Sequence, residues 1–212
     1  MNRQKTVWLI GGGGHALVCA DIISNCPQWS VHGVIDPAQQ GSAFLTWQIK
    51  GEQNIGDLLQ ETSNCILAVG QVKAGLQRHA ILQRYQALGA HFPPLVSPRA
   101  YVSAYAGFGD AVMVGHGAVI QPLASLLEGV IVNTGAIIEH GSVVGAFTHV
   151  STRAVVNGDC RIGAGVLIGS GAVVLQGKTI CDGATVGAGS VVTRDITEPG
   201  VYVGIPARRL DS

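Results

Sequence analysis

From Val96 to Val192 every sixth residue is aliphatic or aromatic, and the series does not miss once. It runs Val96, Val102, Phe108, Val114, Ile120 and Leu126, continues through Ile138, Val144, Val150 and Val156, and ends at Val186 and Val192. A period of six matches neither a helix at 3.6 nor a free amphipathic strand at 2, but it suits three short strands per turn of a triangular coil. Four residues after most of these positions stands a second small or aliphatic residue, such as Ala100, Ala118, Ala136, Ser142, Ala154, Cys160 and Ala172, with Lys178 the charged exception. Two inward rows are therefore predicted. The hexads make between five and six coils, a prism roughly 27 Å tall at the spacing of parallel strands. Burial of each key residue is worth roughly 1.5–3 kcal/mol gross, so the column forms one cooperative core. The period does not set the hand of the coil.

The repeat explains an unusual composition. Of 212 residues, 30 are glycine, 47% are hydrophobic and only 12% are charged, as recurrent corners around an aliphatic column require. Mean hydropathy is positive at +0.36, yet every apolar run is broken well before the ~18 residues of a membrane span. Val7-Trp8-Leu9-Ile10 is also too short for a secretory core, so a cytoplasmic protein is expected. The five cysteines contain no C-x-x-C pair, and we read them as small buried hydrophobes rather than disulfide or zinc ligands. Zero formal net charge without a basic cluster argues against nucleic acid and for small-molecule substrates.

Ahead of the coil, residues 6–36 read as a βαβ start. Strand Thr6 to Ile10 leads into Gly11-Gly12-Gly13-Gly14-His15, then a helix from Ala16 to about Ser24 and a strand from Ser30 to Asp36. Gly11, Gly13 and Ala16 satisfy G-x-G-x-x-A, and Asp36 supplies the acid that follows about twenty residues later. Glycines let a phosphate approach the backbone, and the helix N-terminus favours anions. The residues left before the hexads suffice for one further strand, Asn64 to Val69, and one helix, about Lys73 to Leu88. A mononucleotide or nucleotide-sugar is thus expected rather than NAD. His91-Phe92-Pro93-Pro94 is a stiff connection, which places the domain boundary between residues 92 and 93.

Three histidines, His116, His140 and His149, lie in the coil. Taken alone each reads first as a solvent-facing side chain, and their spacings lack the three-histidine convergence of a zinc anhydrase. No cysteine neighbours a histidine as an activated nucleophile would.

The segment Ile138-Glu139-His140-Gly141-Ser142 through Phe147-Thr148-His149-Val150 resembles the sialic acid O-acetyltransferase and UDP-4-amino-sugar N-acetyltransferase family. So do Gly11 to His15 with Leu17-Val18-Cys19 and Asp21, the Val132-Asn133-Thr134 strand, the hexads, and the closing Gly204-Ile205-Pro206-Ala207-Arg208. The resemblance covers almost the whole chain. It implies a Rossmann-like α/β nucleotide-sugar-binding domain (residues 1–92) followed by a left-handed parallel β-helix (residues 93–212). It further implies a homotrimer with sites between neighbouring coils, and acetyl-CoA as co-substrate with no metal.

By the same resemblance His140 is the general base and His149 contacts acetyl-CoA, while Gly158, Ser170 and Ala188 line the cofactor cleft. Gly13, Gly14, His15, Asp36 and Gly70 hold the nucleotide-sugar. The chemistry is independently sensible, because an ammonium acceptor must lose a proton to attack a thioester and neutral histidine titrates near working pH. One position departs from the family pattern, since Gly141 stands where an acid usually follows the base. Asp159, one coil on, is expected to stack under Gly141 diagonal to His140, whereas Glu139 should point elsewhere. The expected reaction is N-acetylation at the 4-amino group of a UDP-linked dideoxy sugar of the bacillosamine type. Sialic acid O-acetylation, GDP-perosamine N-acetylation, a non-catalytic trimeric scaffold and an NAD oxidoreductase are the alternatives.

Overall fold

The computed structural model describes residues 4–71 and 76–210. The first unit holds a three-stranded parallel sheet ordered β2-β1-β5, from β1 (Lys5–Ile10), β2 (Trp29–Ile35) and β5 (Cys65–Leu67). Helix α1 (Gly14–Ser24) follows β1 directly and buries Ala16, Cys19, Ala20, Ile22 and Ile23. Between β2 and β5 lie a short hairpin of β3 (Ala43–Phe44) and β4 (Trp47–Gln48) and the helix α2 (Ile55–Glu61). The sequence carries no signal for these elements, because two-residue strands and a seven-residue helix have no legible period. Fully buried Trp8 anchors α2 by donating its indole N–H to the Leu58 carbonyl at 2.9 Å. Helix α3 spans Leu76–Ala87, and the expected start at Lys73 lies outside the described residues.

From Leu95 onward the hexads wind as expected. Two-residue strands stack with an 18-residue register, as in Ile131 on His149 and Val143 on Arg161. They form three parallel faces. The first begins with Leu95–Val96, the second with Tyr101–Val102 and the third with Gly107–Phe108. Every key position from Val114 to Val192 is at most 3% exposed. Val96, Val102 and Phe108 are only partly buried, since no coil lies above them. In the second row the polar members are satisfied internally. Ser142 donates to the Asn157 carbonyl at 2.8 Å, and Thr148 to that of Gly163 at 2.7 Å. Lys178 stays partly exposed. Four cysteines are buried and all five are free, with the Cys19 thiol pushed by burial up to about 12.

The first unit rests on the first face of the prism. Met113 and Ile131 join the α1 core, and Ala111 and Phe147 join the core beneath Trp8, Leu82 and Tyr85. At the other edge of that face His116 Nε2 meets Asp21 Oδ2 of α1 at 2.8 Å, and His116 Nδ1 meets Ser97 Oγ at 2.7 Å. No helix among the described residues is long and apolar enough to cross a membrane.

Candidate active site

The glycine turn opens a cleft of about 670 Å³ at the carboxyl ends of the sheet strands. Gly13, Gly14, His15, Asp36 and Gly70 all line it, as do Gln39, Glu52 and Arg84, which sequence reasoning missed. The four glycines serve different ends. Gly11 needs its positive φ of +109°, and a Cβ on Gly12 would come within 2.7 Å of Ile49 Cδ1. Nothing lies within 4 Å of a Cβ on Gly13 or Gly14, so the open space there is available to a ligand. The first turn of α1 carries no acidic side chain and no side-chain cap; the Ala16 N–H donates to the Gly13 carbonyl at 3.0 Å, which leaves the Gly14 and His15 N–H groups to meet an anion.

Asp36, just after β2, flanks the glycine turn. Its Oδ2 accepts from the Gly12 N–H and the Gln39 amide, both at 2.9 Å, and its Oδ1 accepts from the Ala38 N–H at 3.0 Å. One lone pair of Oδ1 remains for a ligand donor. On the far wall the Glu52 carboxylate accepts from Tyr85 at 2.7 Å and pairs with Arg84.

His149 lies on the first face, half-buried beneath the first unit. Its Nδ1–H donates to the Gln71 carbonyl at 2.9 Å. A carbonyl only accepts, so Nδ1 carries the proton and Nε2 accepts from the Asn133 amide at 3.2 Å. Burial lowers the His149 pKa, the Gln71 bond opposes this, and the nearby Arg78 cation adds to the lowering. His15 is held down to about 4, chiefly by burial and then by Arg78 and His149. Both rings are therefore neutral at neutral pH.

His140 occupies a different place. It follows the second-face strand Ile137–Ile138 and precedes the third-face strand Val143–Val144, so it stands on the corner opposite the first face. The side chain is 57% exposed. Gly158 makes room for the ring from one coil below, where a Cβ would come within 2.5 Å of His140 Cε1. Asp159 lies where the sequence placed it, under Gly141. Its Oδ1 occupies the space that a side chain on Gly141 would fill and sits 3.9 Å from His140 Nδ1.

Ser170 and Ala188, one coil apart, occupy the corner between the first and second faces, the edge that carries His116 higher up. One chain thus brings Gly158 to His140 but leaves Ser170, Ala188 and His149 elsewhere on the prism. The three coil histidines do not converge.

Residues 6–84 match the PglD N-terminal domain family. Comparison with curated proteins finds no match. Among solved structures, the acetyltransferase domain of PglB from Neisseria gonorrhoeae FA1090 is 34% identical, with 98% of this chain and 100% of that chain covered and a TM-score of 0.87. Its complex with acetyl coenzyme A superposes over the same extents at 33% identity and a TM-score of 0.88. A histidine-to-asparagine mutant of perosamine N-acetyltransferase from Caulobacter crescentus, in complex with CoA and GDP-perosamine, is 28% identical over 98% of this chain and 97% of that one, with a TM-score of 0.91. The coil is accordingly the left-handed parallel β-helix of these enzymes, and the chain belongs to the nucleotide-sugar amino N-acetyltransferase family, as an acyltransferase with a PglD-type first domain.

Proposed function

We propose that this enzyme transfers acetyl from acetyl-CoA to the 4-amino group of a UDP-linked dideoxy amino sugar. The observation that carries the reading is full-length likeness to an acetyltransferase domain whose structure holds acetyl coenzyme A, joined to a cleft that gathers all five expected nucleotide-sugar residues. Residues 1–92 hold the nucleotide-sugar and residues 93–212 carry the transfer. The diphosphate meets the open glycines and the α1 N-terminus, and the Asp36 wall takes a base or ribose donor.

His140 is the base. It takes a proton from the sugar ammonium, the freed amine attacks the thioester carbonyl, and the C–S bond breaks to release CoA thiolate, which is then protonated. His149 meets the acetyl end in exchange for its Asn133 contact, while Gly158, Ser170 and Ala188 flank the CoA chain. Asp159 orients His140 from one coil below and favours the Nδ1–H tautomer, which leaves Nε2 free to accept the proton. The two groups stand 3.9 Å apart on exposed side chains, and catalytic hydrogen bonds are often longer before substrate binds.

In one chain the prism stands between the cleft on its first face and His140 on the opposite corner. A second copy would bring His140 to the cleft, and this separation supports the reading of a homotrimer with sites between chains.

The likeness to perosamine N-acetyltransferase, with its TM-score of 0.91, favours a GDP-linked acceptor as the second reading. CoA release measured against matched UDP-4-amino, GDP-4-amino and free sialic acid acceptors separates them. Highest catalytic efficiency on the UDP-sugar is expected. A higher value for either competitor overturns the acceptor assignment, and no CoA release on any amino sugar overturns the activity.

A further inference from the structure

Arg78 is among the largest fully buried side chains of the protein, 1% exposed between α3 and the prism. Its Nε–H donates to the Val69 carbonyl at 2.9 Å, and its Nη1–H donates to the Gly129 carbonyl at 2.5 Å. The guanidinium lies 6.0 Å from the centre of the Phe147 ring, which packs edge-on against His79 of the same helix. Gly129 is closed beneath it, for a Cβ there would sit 2.5 Å from Phe147 Cε1. One side chain thus ties the segment after β5, helix α3 and the third-to-first corner of the coil together.

A buried cation needs a reason. Replacing such a group by a well-packed apolar side chain is often neutral or stabilising, and a guanidinium without an anion is costly to bury. No carboxylate pairs with Arg78 among the described residues, and its Nη2 has no hydrogen-bond partner there. The titratable groups that sense it are Cys19, His15 and His149, with His79 beside it on α3. The segment it grips, Val69-Gly70-Gln71, does two things at the site. Gly70 lines the cleft and packs on His15, where a Cβ would lie 3.2 Å from His15 Cβ, and the Gln71 carbonyl takes the His149 Nδ1 proton.

We propose that Arg78 is a positioning residue. By clamping Val69–Gln71 to the coil corner at Gly129, it holds His149 in one tautomer and orientation and sets the cleft wall at Gly70 against His15. Burial is the main reason both histidines stay unprotonated and the Arg78 charge adds to it, while the Gln71 carbonyl it positions takes the Nδ1 proton and leaves His149 Nε2 as an acceptor. The kinetic part rests on the acetyl-transfer reading above, whereas the histidine part does not.

The test compares the full-length protein with Arg78→Met and Arg78→Lys. It uses the C2–H deuterium exchange of individual histidines, read by mass spectrometry across the acid and neutral range, together with steady-state kinetics. In Arg78→Met the exchange midpoints of His15 and His149 rise, and the Michaelis constant for acetyl-CoA or acceptor rises about tenfold or more with a smaller change in turnover. Arg78→Lys keeps the charge but does not span both carbonyls, so the midpoints stay low while the Michaelis constants still rise. A folded Arg78→Met with unchanged midpoints and unchanged constants overturns the proposal. Should Arg78→Met not fold, unchanged constants in Arg78→Lys overturn it. Raised midpoints in a protein without acetyltransferase activity uphold the clamp and reject the activity instead.

Discussion

Asp159→Asn isolates the carboxylate charge at almost no steric cost. Asp159 has a positive φ of +60°, a conformation asparagine tolerates equally well, so the coil is expected to stay intact. At the 3.9 Å between Asp159 Oδ1 and His140 Nδ1, a unit charge pair is worth about 1 kcal/mol in water and about 4 kcal/mol at an effective dielectric of 20. Both side chains are more than half exposed, 57% and 58%, which places the effect near the lower end, about 1–2 kcal/mol. Turnover should therefore fall roughly five- to thirtyfold, with little change in the Michaelis constants. Neighbouring charges share the corner: Glu139 is adjacent in the chain, and Arg161 donates to the Gly141 carbonyl at 2.7 Å. A second variant controls for them. Gly141→Asp combined with Asp159→Gly moves the carboxylate to the residue following His140, and it should recover most of the turnover lost in Asp159→Gly alone. The assay is CoA release with thiol capture at saturating substrates. Wild-type turnover in Asp159→Asn would refute the reasoning and leave a water or a backbone carbonyl to orient His140.

Other outcomes are open to measurement. His140→Ala should lower turnover roughly 10²–10⁴-fold with little change in acetyl-CoA affinity, whereas His149→Ala should chiefly raise the Michaelis constant for acetyl-CoA; steady-state kinetics reads both. His15, held down to about 4 against an ordinary value of 6.5, binds a proton more readily unfolded than folded. Its contribution is thus fully present above about 6.5 and lost as pH falls toward 4, about 3 kcal/mol in all, and denaturant titrations of wild type against His15→Gln should show that acid-side difference. Val150→Asp places an unpaired charge in the dry column and should lower stability by several kcal/mol or prevent folding, as thermal melts will record. Light scattering in dilute solution should give about three times 21.9 kDa, and a stable, active monomer would contradict a site completed by a second chain.

How much of this was legible beforehand follows from the range of the forces involved. A period of six is a local pattern repeated, so the aliphatic column, the three-faced coil and the stacking of Asp159 beneath Gly141 could be counted along the chain without coordinates. The glycine turn was legible for the same reason, since a tight strand-to-helix turn must be written in consecutive residues. The cleft it opens gathers the residues expected of it. Counting could not say which face the first domain covers. That choice depends on side-chain packing of Met113 and Ile131 against α1 and of Phe147 beneath α3, contacts between residues distant in the chain. From it follow the fate of His149, turned to the Gln71 carbonyl, and the separation of His140 from the cleft within one chain. Arg78 was invisible, because an arginine in a polar helix reads as a solvated surface residue until the prism is docked upon it. The repeating core and the glycine turn are written in local residue spacing, so both can be read without coordinates. Where those parts meet follows from docking, whose energy comes from burying two surfaces that no local period describes.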